Sequence, residues 1–203
     1  MIYGKKWEDI TMTKFRILEH TKTEFNGHII YRIEAMKDFS DVKAGDLGGY
    51  VETAENLSDN GDCWIYNDAI AYDCARVEGN AKIYDKARVM DIAKVKEEAK
   101  VYGHARIVGC AVIADNAQVY GHALIEDSGI FGDAHVCGYA HCSAESVVQG
   151  DAEVYGNTVI TKGATVSGEA IVYGESYIAK ATISGTAKIK SKEIKNRSDY
   201  IIR

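Results

Sequence analysis

Ala93-Lys-Val95-Lys-Glu-Glu-Ala99-Lys-Val101-Tyr-Gly-His-Ala105-Arg-Ile107 decides the architecture of this chain. A small residue is followed two positions later by a β-branched aliphatic, and the pair returns after six residues. The pattern runs through nine successive pairs, from Ala75/Val77 to Ala123/Ile125, and continues with substitutions from about Leu57 to Ile189. Alternate residues of an extended strand face opposite sides, so in each Ala-x-Val the outer two point inward and x points to solvent. The three residues that follow, rich in Gly, Asp and Asn, turn a corner. A short fixed period of this kind marks a β-solenoid. The reading places one-residue register slips at Gly129→Ala134 and Ser176→Ala181. It counts Ile65, Val77, Ile113, Phe131, Val136, Val154 and Ile183 among the inward column.

A second period sets the number of units per coil. Tyr66, Tyr84, Tyr102 and Tyr120 follow the core aliphatic in every third unit, and after the first slip Cys137, Tyr155 and Tyr173 take that place. Three units per coil stack these rings in a ladder along one corner of a triangular prism. About seven coils then give a rod of roughly 35 Å at ~4.8 Å per coil. Mutual stacking that holds register is sufficient reason for the ladder. Residues 1–56 read as an N-terminal β cap, 57–192 as the solenoid and 193–203 as a capping tail. Asn26-Gly27 between strand-like runs predicts a hairpin in the cap. Each end of the rod needs such a plug, because an open coil presents an unpaired strand edge.

The composition narrows the class further. The chain has 203 residues, a net charge of −6, no proline and five cysteines. The cysteines are odd in number and lack metal-type spacing, and no secretory leader or membrane-length apolar run is seen. These features predict a reduced, cytoplasmic protein. The charge is segmented: residues 73–106 are net +2, 107–176 net −8, and 177–203 net +5.

Thr13-Lys-Phe-Arg-Ile17, Lys37-Asp-Phe-Ser-Asp-Val-Lys-Ala-Gly45, Gly48-Gly-Tyr-Val51 and Gly61-Asp-Cys-Trp-Ile-Tyr66 together resemble the YdcK family of bacterial β-solenoid proteins. The resemblance covers the cap and first coil; beyond them only the repeat type is shared. It implies an all-β, single-stranded left-handed β-helix related in fold to the trimeric hexapeptide acyltransferases. The family's transferase label rests on fold analogy alone, a weak warrant for function. This chain also departs from the acyltransferase hexapeptide. Its corner Gly comes two residues after the aliphatic, as in Val101-Tyr-Gly103, and no insertion interrupts the repeat to cover a substrate.

Chemistry-bearing residues are few. His104 and His122 follow Tyr-Gly one coil apart and are the candidates for an acyltransferase base. His135 and His141 face outward on adjacent sheets without a spacing that suits a metal, and no metal or cofactor is expected. Six consecutive outward positions are basic: Arg76, Lys82, Arg88, Lys94, Lys100 and Arg106. Acids at the neighbouring corners (Glu78, Asp85, Asp91, Glu97 and Glu98) are expected to pair with this belt, which argues against nucleic acid. Beyond Arg106 the outward positions turn apolar. Val112, Ile130 and Val147 read as one column, with Leu124 and Val159 on the next sheet. Aliphatics on a solvated face suggest a contact surface. The expectation is a non-enzymatic β-solenoid that binds a protein partner or its own copy, as a homodimer or homotrimer, without membrane contact. An accessory or inhibitory role, of the kind phages encode, would suit so small an array. The rival is an acyltransferase that uses a coenzyme-A thioester in a cleft between subunits of a trimer.

Overall fold

A computed structural model describes residues 13–196. The cap comes first: β1 (Phe15–Ile17), β2 (Thr23–Phe25), β3 (His28–Ala35) and β4 (Leu47–Val51). β2 and β3 form the expected hairpin, with Asn26 and Gly27 at φ 51 and 86 in its two-residue turn. β1 and β4 flank β3, both antiparallel to it. β4 is then parallel to β6 (Ile70–Ala71), so cap and solenoid share one sheet. Gly49 permits this approach, since a Cβ there would sit 2.4 Å from the Ala69 carbonyl oxygen and 2.6 Å from Ile65.

From β5 (Trp64–Ile65), β6 and β7 (Arg76–Val77) onward, the chain winds through strands of two or three residues, each parallel to the strand one coil later. Three sheets result. The β5 face has eight strands, the β7 face has seven, and the β6 face has twelve with the cap included. This gives about eight coils, one more than the repeat count suggested. Stacking reaches further at both ends than residues 57–192, from β4 to a last strand at Glu193–Ile194. Residues 197–203 of the anticipated tail lie outside the described residues. Among the described residues no helix is long and apolar enough to cross a membrane.

The inward column is as dry as the period requires. Val77, Ile83, Val95, Val101, Ile113, Val119, Val136, Val154 and Ile178 are all 0 % exposed, and so are most of the paired alanines. Each such aliphatic contributes about 1.5–3 kcal/mol of transfer free energy. Where Ser or Thr replaces the alanine, its hydroxyl is satisfied locally. Thr158 Oγ1 and Ser176 Oγ donate to the carbonyls of Tyr155 and Tyr173, each at 2.8 Å, and the Ser128 and Ser146 hydroxyls pair at 3.1 Å.

The first slip falls earlier than the sequence reading placed it. Ser128 and Ile130 are the inward pair, with Ile130 0 % exposed, and Phe131 sits half-buried in the following position. The missing residue is in the Glu126-Asp127 corner, and pairing falls from 18 residues apart (Lys94↔Val112) to 17 (Val112↔Gly129). Gly129/Phe131 mimics the small-x-apolar signal, but Ser128-x-Ile130 puts a β-branched chain inside and lets Ser128 bond Ser146. The slip at Ser176→Ala181 stands, with Thr165 opposite Thr182. A further shortening brings Tyr177 opposite Glu193.

Candidate functional site

The corners come first, because they decide what the faces can offer. Asp85, Asp91, Glu97 and Asp115 adopt φ of 56–59° and each caps the coil above. Their carboxylates accept the backbone N–H of Gly103, Gly109, Asp115 and Gly132 at 2.7–2.9 Å. Of the acids expected to pair with the basic belt, Asp85, Asp91 and Glu97 are therefore engaged with backbone and Glu98 accepts from Asn80 Nδ2 instead. Arg76 and Lys82 pair instead with the cap acids Glu55 and Asp41, and Arg88 lies over the Phe25 ring at 4.7 Å. Among the described residues Lys94, Lys100 and Arg106 have no acidic partner within salt-bridge distance. In each column they stack directly over Arg76, Lys82 and Arg88.

The tyrosine ladder is built as stacked pairs. Tyr66–Tyr84, Tyr102–Tyr120 and Tyr155–Tyr173 have ring centroids 4.5, 4.7 and 5.2 Å apart. The Tyr66 hydroxyl donates to Asp41 Oδ1 at 2.9 Å and the Tyr102 hydroxyl to Gln118 Oε1 at 3.2 Å. Burial is the leading cause that raises the Tyr66, Tyr84 and Tyr102 phenols above their ordinary pKa.

His104 and His122 do stack, at 4.9 Å and 3°, and the Tyr139 ring continues the column at 4.9 Å. Both imidazoles are exposed, and among the described residues neither ring makes a hydrogen bond. A general base normally has a second group that fixes its tautomer and aim; this pair has none. Burial raises the Cys63 and Cys142 thiols, Cys142 to about 12, and a hydrogen bond to Asp127 raises exposed Cys110.

The outward apolar positions differ from the expectation at Ile130. Ile130 lies in the core, and the outward column of the β7 face is Val112, Gly129, Val147, with Thr165 above. Phe131 compensates for the missing side chain: a Cβ on Gly129 would be 2.3 Å from its Cε2, so the ring lies across the glycine. Val112, Gly129, Phe131 and Val147 line a shallow groove of about 260 Å³, bordered by Asp127 and Glu145. Leu124 and Val159 lie in one column of the β6 face with His141 between them. His141 Nε2 sits 3.5 Å from Glu126 Oε2 without forming a hydrogen bond.

One cluster escaped the sequence reading. His28, Glu52 and Asp73 meet where the cap joins the first coil, with His28 Nδ1 3.2 Å from Glu52 Oε1 and 3.6 Å from Asp73 Oδ1. The three residues share no motif, and the packing of β3 on β4 and of β4 on β6 brings them together.

No protein-family model matches the chain. Over 55 residues it is 40% identical to the "Uncharacterized acetyltransferase YdcK" of Escherichia coli (strain K12). That stretch covers 27% of this chain and 17% of the relative. The resemblance to that family is thus met over 55 residues, and the stacked parallel coils agree with the β-solenoid it implied.

Proposed function

We propose that this protein is a docking module whose β7 face receives a protein partner through the Val112–Gly129–Phe131–Val147 groove. The observation that carries the reading is an apolar groove on a regular, otherwise polar face, rimmed by carboxylates. Charge selects the partner. Residues 107–176 hold nine acids and one base, so a second copy laid groove to groove on this face would set acidic rim against acidic rim. A segment with apolar side chains between Lys or Arg flanks meets complementary charge. Burial of valine and phenylalanine surface would supply affinity, and the acidic rim register and approach rate.

The test is a fluorescence-anisotropy titration of a labelled peptide with alternating valines between lysine flanks. Saturable binding is expected, weakened at least ~10-fold by Val147→Asp and by high salt. Equal binding by Val147→Asp, or by a peptide with glutamate flanks, would refute the docking reading.

A second reading, acyl transfer, is favoured by the name of the relative matched over 55 residues and by the His104/His122 stack. It requires a trimer, acetyl-coenzyme-A binding and loss of activity in His104→Ala or His122→Ala. The exposed and unoriented imidazoles make it the weaker account.

A further inference from the structure

We infer that His28, Glu52 and Asp73 form a binding site for a divalent first-row metal ion at the seam between cap and solenoid. The three ligands come from three places: the start of β3, the residue after β4, and the corner after β6. Each is held by an atom that the metal would not use. Glu52 Oε2 accepts the Asp73 N–H at 2.7 Å, which leaves Oε1, hydrogen-bonded to His28 Nδ1 at 3.2 Å, to face the ion. Asp73 Oδ2 accepts the Asp91 N–H at 3.3 Å, which leaves Oδ1. The His28 ring lies against Tyr72 at 4.9 Å, and the ring of Phe25 meets the same tyrosine edge-on at 5.9 Å. What remains, Nδ1, Oε1 and Oδ1, converges on one point, all three within 4.8 Å of one another.

The spacing suits a metal. Ligands about 2.0–2.2 Å from zinc and ~90–110° apart are separated by roughly 3.0–3.6 Å, the separations His28 Nδ1 makes with both carboxylates. One imidazole and two carboxylates suit a borderline divalent ion such as Zn²⁺, Co²⁺ or Mn²⁺. The half-buried site leaves the remaining positions to water. Outer hydrogen bonds that aim the ligands are the usual accompaniment of a metal centre, and here two of the three ligands have them. The bound ion would tie the hairpin to the first coil, so the cap would gain stability from it.

The test titrates Zn²⁺ into the whole chain by calorimetry, with Co²⁺ absorbance as an independent readout. One ion per chain is expected, with a melting temperature that rises with metal concentration and falls back on chelation. Both effects should be lost in His28→Gln. Asp73→Asn keeps the Asp91 bond and tolerates the positive φ, so it guards against a folding defect; it should weaken binding at least ~10-fold. No saturable binding would overturn the inference. Stoichiometry unchanged in both variants would place the ion elsewhere, for instance at the His104/His122 stack, and would overturn it equally.

Discussion

Replacing Ile130 by Ala distinguishes the two registers available to the chain at the first shortened corner. In the structure Ile130 is fully buried, paired with Ile113 below and Val148 above. Truncation removes three buried carbons, about 2.4 kcal/mol of transfer free energy at ~0.8 kcal/mol each. The cavity between two stiff coils adds to this, and about 3–4 kcal/mol in all is expected. Phe131 is half-exposed across Gly129, so Phe131→Ala should cost about 1–2 kcal/mol. Urea denaturation followed by circular dichroism reads both as midpoint shifts. A lowered slope in Ile130→Ala would further show the coils on either side losing cooperativity, as expected of a one-dimensional array. If Phe131→Ala proves the more damaging variant and Ile130→Ala costs under ~1 kcal/mol, the register is the other one. The docking groove as described would then fall with it.

Other outcomes follow from the same coordinates. Gly121 sits at φ 73 with the Gly138 backbone 3.0 Å from where a Cβ would lie, so Gly121→Ala should destabilise by about 1–3 kcal/mol in thermal melts. Asn56 is buried; its Oδ1 accepts the Glu52 and Thr53 N–H groups, and its Nδ2 donates to the Asp73 and Ala75 carbonyls. Asn56→Ala should cost about 2–4 kcal/mol by calorimetry, because buried backbone groups lose their partners. The Lys82 hydrogen bond holds the Asp41 carboxyl down at about 2 from 3.8. The stabilisation this gives is present above pH ~4 and is lost as pH falls toward 2. Asp41→Asn should therefore flatten that part of the acid-denaturation profile, modestly because the side chain is exposed.

Much of the fold was legible because the repeat speaks twice, once in the Ala-x-Val period and once in the tyrosine interval. Three six-residue units per coil, parallel stacking and the Asn26-Gly27 hairpin all follow from local chemistry. The slip at residues 126–127 was misread because Gly129/Phe131 satisfies the same pattern as Ser128/Ile130. What separates the two is a long-range choice, the Ser128–Ser146 bond and the better inward fit of isoleucine. The corner acids were misassigned for a related reason. A carboxylate beside a basic residue reads as an ion pair, but at positive φ it is placed to accept the N–H of the next coil. Nothing local announces His28, Glu52 and Asp73 as a group. The apolar strip was visible at Val112 and Val147, and the role of Phe131 emerged only once Gly129 was seen beneath it. Lys14 was also silent in sequence. It is 1 % exposed and closes the rod by donating to the Gly61 and Cys63 carbonyls at 3.2 and 2.9 Å.

The mass of the protein in solution, measured by light scattering on a size-exclusion column, tests the central claim most directly. A single chain of 22.3 kDa is predicted, because the acid-rimmed β7 face repels its own copy and stays open for a basic partner. A trimer would contradict the account, since it would occupy the faces with sister subunits and supply the intersubunit cleft that acyl transfer needs.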